Sequence, residues 1–137
     1  MEVKQIKKVM QKYKKAWEEQ NTQTVLDCFT KDGTYQESPL AKPYRGHSQI
    51  KKFWNEIVVK STKNIKFTLG KCYVSSDKKF GFAEWECTNE QRVKYDNKFK
   101  RKKTDKWEKC RMVGIMIIEM KGEKINRLNE YWKTKLL

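Results

Sequence analysis

Four cysteines and one histidine are the residues in this chain best suited to metal or nucleophilic chemistry. Their spacing argues against both. Cys28, Cys72, Cys87 and Cys110 lie 44, 15 and 23 positions apart, and His47 stands alone. Zinc sites draw on close ligand pairs, and secreted disulfide scaffolds carry denser cysteine. Each cysteine sits within an apolar stretch, which predicts buried, reduced thiols of a cytoplasmic protein. His47 is expected to start a helix rather than to catalyse. No metal and no cofactor is expected, because the chain has neither a Walker loop nor a GxGxxG turn.

The second chemistry on offer is electrostatic. With 32 Lys plus Arg against 17 Asp plus Glu, the formal charge is +15. Such a field attracts nucleic acid, an anionic membrane or an acidic partner, and it also simply solubilises. Only Arg45, Arg92, Arg101, Arg111 and Arg127 are arginines. Arginine is the better fork for phosphates and base edges, so a lysine-dominated excess argues weakly for nucleic-acid recognition. One segment concentrates the charge. Arg92 to Lys109 holds nine cations against Asp96, Asp105 and Glu108, with Tyr95, Phe99 and Trp107 interleaved. Base stacking in a cationic groove uses this combination. A long twisted hairpin with a solvated tip at Lys100-Arg101-Lys102-Lys103 would look the same. A module binding nucleic acid or an acidic protein through Arg92–Lys109 is therefore the alternative function.

What must position any site is a chain of 137 residues, the length of one ordinary domain spanning 1–137. Apolar residues make up only 37%, but a 12% aromatic share is foreign to disordered basic tails. No run of about 18 apolar residues predicts a membrane helix. The start Met1-Glu2-Val3-Lys4 leads into no apolar core of a signal peptide.

Val3, Ile6, Val9, Met10, Tyr13, Ala16 and Trp17 recur at steps of three and four, which predicts an amphipathic helix. Asn21-Thr22 stops it and caps a second helix, expected to end at Asp32-Gly33. Thr34 to Ser38 reads as a short strand. A third helix is expected from Gly46, with Ile50, Phe53, Trp54 and Ile57 on one face. Beyond Asn64 the period becomes two, predicting strands at 65–74, 80–88, 108–120 and 124–133. Three helices on one face of a strongly curved antiparallel sheet is the natural packing for this order, an α+β architecture.

Phe29-Thr-Lys-Asp32-Gly-Thr-Tyr35-Gln-Glu37-Ser-Pro39 and Tyr44-Arg-Gly46-His-Ser-Gln-Ile50-Lys-Lys-Phe53-Trp54, with the ending Gly122-Glu-Lys-Ile125-Asn-Arg-Leu128-Asn-Glu130-Tyr131-Trp132, resemble the nuclear transport factor 2-like superfamily. Within it the chain is most similar to the SnoaL-like polyketide cyclase and ketosteroid isomerase branch, over residues 3–133. The resemblance implies a cone, in which a bent sheet wraps the helices around an apolar pocket, and homodimers through the outer sheet face. It implies a small, largely apolar or aromatic ligand, and acid/base isomerase, cyclase or hydratase chemistry as the sharpest form of the function.

By the same resemblance Tyr13 matches a hydrogen-bond donor to an oxyanion. Glu37 matches a general base when the alignment is anchored on Phe29–Thr34, and Ser38 when it is anchored on Pro39. Tyr35 shares a face with Glu37. Trp132 matches a pocket-lining aromatic, with Glu130 its face-mate, either as the acid or as an outward residue at a dimer seam. Trp17, Trp54, Trp85 and Met116 are expected to complete the walls. Met116 stands where the isomerases keep a protonated carboxylic acid, and a thioether cannot donate that bond.

Overall fold

The computed structural model describes all 137 residues. Helix α1 spans Val3–Glu18 and α2 spans Thr22–Cys28; strand β1 is Phe29–Gln36 and β2 is Tyr44–Arg45. Helix α3, Gly46–Phe53, runs into a π-helical turn over Trp54–Val59. Four long strands follow: β3 (Thr62–Val74), β4 (Gly81–Tyr95), β5 (Arg101–Lys121) and β6 (Lys124–Leu136). They form one six-stranded curved sheet in the order β2-β1-β6-β5-β4-β3. No helix is long and apolar enough to cross a membrane.

The stripe on α1 does what its spacing predicts, burying Ile6, Val9, Met10, Tyr13 and Ala16. Asn21 caps α2 by accepting a hydrogen bond from the Thr24 N–H at 3.0 Å. The second helix ends four residues earlier than Asp32-Gly33 would suggest. Phe29 turns into extended backbone because it pairs with Ile125 of β6. Tertiary pairing here overrides the local pattern. At Gly33 β1 approaches β6 so closely that a Cβ would stand 3.0 Å from the Ile125 carbonyl oxygen. Glycine is what this irregular stretch of the β1–β6 ladder requires.

The sheet departs in one pairing from the antiparallel expectation. β1 runs parallel to β6, with Tyr35 beside Leu128, while every other neighbouring pair is antiparallel. Parallel neighbours need a long crossover, and everything from β2 to β5 supplies it. The third helix also changes its winding. A π turn admits one extra residue, so the stripe that began at Ile50 and Phe53 shifts phase. Val58 becomes the buried residue, and Ile57 turns partly outward.

Between helices and sheet lies one core of 22 buried residues, including Trp54, Phe67, Trp85, Met116 and Leu128. Cys28, Cys87 and Cys110 are buried and Cys72 is half-buried, all four as free thiols. On the outer face Val113, Ile115 and Tyr131 remain exposed. At Gly114 β5 approaches β6 so closely that a Cβ would lie 2.8 Å from the Trp132 Cβ. Gly114→Ala is therefore expected to lower stability by about 2–3 kcal/mol, as overpacking does. Denaturant unfolding would show the loss, and an unchanged midpoint would contradict this close approach.

Candidate active site at the open end of the cone

Two buried carboxylates line one chamber inside the curved sheet, Glu130 on β6 and Glu37 just past the end of its parallel neighbour β1. Glu130 projects inward from β6 and is 4% exposed. Its Oε1 accepts from the Tyr13 hydroxyl at 2.5 Å and its Oε2 from the Tyr35 hydroxyl at 3.0 Å. The structure pairs no cation with it. Burial therefore pushes its pKa up to about 8; the two tyrosine hydrogen bonds oppose the rise, and the negative charge of Glu37 adds to it. At neutral pH this side chain is mostly the neutral acid. Burial and the same carboxylate hold both tyrosines protonated.

Glu37 follows β1 directly and has a different environment. The Arg101 guanidinium donates to its Oε1 at 2.6 Å, the Tyr44 hydroxyl to the same oxygen at 2.7 Å, and the Tyr95 hydroxyl to Oε2 at 3.4 Å. Burial raises its pKa above the ordinary carboxylate value, and Arg101 and the two hydroxyls offset only part of that rise. Ser38, the other candidate for this position, spends its hydroxyl on the Leu40 N–H at 3.3 Å, as a turn residue does. The Trp132 indole N–H donates to the Glu37 carbonyl oxygen at 2.5 Å and so fixes the strand end.

Between the carboxylates lies a chamber of only about 30 Å³, lined by Trp17, Tyr35, Glu37, Glu130 and Trp132 with Phe53, Ile57, Thr62, Gln91, Val93, Tyr95 and Met112. That volume accommodates little more than water. Outside it opens a cleft of about 800 Å³ that reaches Glu37 and Arg101. The apolar pocket that the resemblance implies thus resolves into a small inner chamber and a large outer cleft. No group of three or more His, Cys, Asp and Glu side chains converges as a metal site.

The predicted wall is correspondingly redistributed. Trp17, Tyr35, Glu37, Glu130 and Trp132 come together at the chamber. Trp54, Trp85 and Met116 do not line it; they are core residues. Trp54 packs against Trp17 at 4.8 Å between ring centroids, and Trp85 stacks on Phe67 at 5.6 Å. Tyr13 is wholly buried and bonded to Glu130, so it does not reach Glu37 as a paired donor. His47 sits in the first turn of α3, its Nε2 3.1 Å from the Phe29 carbonyl oxygen, a structural contact.

The Met116 position is answered from the neighbouring strand. Met116 of β5 stands directly across the ladder from Glu130 of β6. The acid that β5 lacks is thus present one strand over, facing the same interior. Glu130 is not at an outward seam. Its outward neighbour is Tyr131, which is exposed.

The basic hairpin also differs from its expected form. Its tip is Asp96–Lys100, earlier than Lys100–Lys103, because the Asp96 side chain accepts from the N–H groups of Lys98 and Lys100 at 2.8 and 2.9 Å. Arg101 thereby falls on the strand and turns inward onto Glu37, a role the sequence reading missed. The Asp96-Asn97 pair was the signal that could have located the turn. Tyr95 and Phe99 stack on each other at 4.3 Å beside Trp132, and Trp107 is covered by Lys63 and Arg92. Tyr95, Phe99 and Trp107, the candidates for base stacking, all contact other side chains of the protein.

A family described as SnoaL-like domain has a model that matches residues 10–128. Among solved structures, the epoxide hydrolase/cyclase-like enzyme SalBIII, of pyran ring formation in the polyether salinomycin, superposes with a TM-score of 0.71 at 13% identity, covering 96% of this chain and 95% of that one. A candidate isomerase from Bacillus subtilis gives 0.73 at 18% identity, covering 97% and 90%. A protein of ketosteroid isomerase-like fold from Catenulispora acidiphila, in complex with trimethylamine, gives 0.65 at 18% identity, covering 90% and 83%. At such identities the likeness concerns the fold. A search of curated protein sequences finds no match.

Proposed function

Because the chain belongs to the SnoaL-like domain family, we propose that it is a cofactor-independent acid–base enzyme of the isomerase, cyclase or hydratase type, acting on a small, largely apolar molecule. One observation carries this reading: two buried carboxylates line one chamber, Glu37 ion-paired with Arg101 and Glu130 bonded only to two tyrosine hydroxyls. Such a pair divides the work of base and acid. Glu37, held as a carboxylate by Arg101, removes a proton from a substrate carbon or from water. Glu130, neutral at pH 7, donates a hydrogen bond or its proton to the oxygen that becomes negative. Tyr13 and Tyr35 are positioning residues that hold Glu130. The substrate enters by the outer cleft, and Tyr95, Phe99 and Trp132 must give way for it to reach the chamber.

Proton exchange with solvent tests this without knowledge of the natural substrate. A panel of enolisable cyclic ketones is incubated in deuterium oxide and followed by proton NMR. The wild-type protein is expected to accelerate deuterium uptake into at least one of them. Glu37→Gln should lose about 100-fold or more of that rate, the usual worth of a positioned base. Exchange that survives unchanged in both Glu37→Gln and Glu130→Gln, or that never exceeds buffer, removes the proposal.

A further inference from the structure

The proposed reaction leaves most of the largest cavity without a task. The walls of the 800 Å³ cleft carry Lys42, Lys98, Lys100, Arg101 and Lys103 against Glu37 and Glu56. The lysines are exposed and alone would be ordinary solubilising charge. Arg101 is different. Its side chain is 26% exposed, and its guanidinium lies over the rings of Phe53 and Tyr44 at 5.1 and 5.8 Å. Only its Nη1 is used, donating to Glu37 at 2.6 Å and to the Tyr44 hydroxyl at 2.7 Å. Its Nε and Nη2 have no protein acceptor, and neither is sealed from solvent. A guanidinium held from one side with a free edge is preorganised for a planar or tetrahedral oxyanion. At the rim Leu40 is 76% exposed, and Ile57 and Phe99 join it in the lining.

We infer that the outer cleft binds a small molecule with an apolar body and an oxyanion head, the head taken by the free edge of Arg101 and the body lying against Leu40, Ile57 and Phe99. The inference rests on the acid–base reading only in treating cleft and chamber as one substrate path. Arg101 then serves two anions, the head and Glu37. The head and the Glu37 carboxylate repel each other, so affinity rises as pH falls and Glu37 takes up a proton, whereas the carboxylate that persists at higher pH is the form that acts as base. Arg101, Tyr44 and Tyr95 face Glu37 directly, Glu130 faces it across the chamber, and the lysines with Glu56 surround the cleft.

Calorimetric titration of the full chain with benzoate, phenyl phosphate and the neutral benzyl alcohol tests this, at about 20 mM and about 300 mM salt. At least one acid is expected to bind about tenfold more tightly than the alcohol at low salt, with the preference shrinking at high salt. Arg101→Gln should abolish the preference, whereas Glu37→Gln should strengthen acid binding several-fold and flatten its pH dependence. The double variant Glu37→Gln/Arg101→Gln leaves no lone buried charge, and it should treat acid and alcohol alike. Equal binding of acid and alcohol by the wild type, an Arg101→Gln or double variant that keeps the preference, or no binding of any probe each overturns the inference. Proton exchange without acid selectivity would overturn it and leave the reaction standing. Acid selectivity without exchange would do the reverse.

Discussion

Glu130→Gln is expected to make the protein more stable above pH 7, although it removes the centre of a buried hydrogen-bonded cluster. Folding raises the Glu130 pKa from an ordinary carboxylate value of 4.5 to about 8. Below about pH 4.5 the side chain is protonated in both the folded and the unfolded state, and it costs nothing. Between 4.5 and 8 the folded state binds a proton that the unfolded state does not, so stability falls as pH rises. The fall levels off above about 8, where both states are ionised. Each pH unit crossed counts for about 1.4 kcal/mol, so the wild type should lose roughly 5 kcal/mol across this window. Glutamine keeps the two tyrosine contacts with a neutral group of the same shape. Its denaturation midpoint should stay nearly flat from pH 5 to 8 and exceed that of the wild type at pH 8. A wild type whose stability does not decline over that range, or a glutamine variant that declines in parallel, would show that Glu130 is not the neutral acid.

Removing Arg101 should act in the opposite direction. Its partner Glu37 has a side chain only 7% exposed, so Arg101→Met leaves a buried carboxylate with hydroxyl donors and no cation. Breaking a buried pair from one side costs about 3–5 kcal/mol; because Arg101 itself is partly exposed, the loss here should be about 2–3 kcal/mol at pH 7. It should shrink as pH falls and Glu37 takes up a proton. The double variant Glu37→Gln/Arg101→Met should recover most of the loss, since it leaves no charge behind. Urea denaturation of the four proteins in this cycle measures the coupling directly. A coupling near zero would mean that the ion pair is a solvated surface contact.

These residues divide sharply in how far sequence alone revealed them. The α1 stripe and the alternating strands were legible because one repeat distance governs each. The curved sheet with helices on one face followed from element order, and the cone, Glu37 and Trp132 from the motifs that resemble the family. Phe29 was misread as helical because its partner, Ile125, lies at the far end of the chain. Ile57 lost its place to Val58 because a π turn leaves no mark in a hydrophobic pattern. Whether Glu130 is an acid facing the same interior as Met116 stayed open for a related reason. Pairing across β5 and β6 places Glu130 opposite it, and cross-strand register is not written in either strand alone. Arg101 was hidden by its neighbours: among Lys100, Lys102 and Lys103 nothing local distinguishes the one cation that turns inward.

The parallel pairing of β1 with β6 also sets when this site comes into being. Glu37 is carried just past the end of β1 and Glu130 on β6, and their strands meet only through contacts such as Thr34 with Arg127. Contacts so distant in sequence are among the slowest to form, because the intervening loop must close before they are rewarded. During synthesis the helices and β1 emerge from the ribosome long before their partner strand exists. Until β6 docks, Tyr13 and Tyr35 have no carboxylate to hold, and the β1 edge facing β6 stays open. The chemistry and the final closure of the sheet are therefore one event. A nascent or truncated chain lacking β6 would present an unpaired edge and no chamber, which makes the docking of the last strand the step that completes both the sheet and the candidate site.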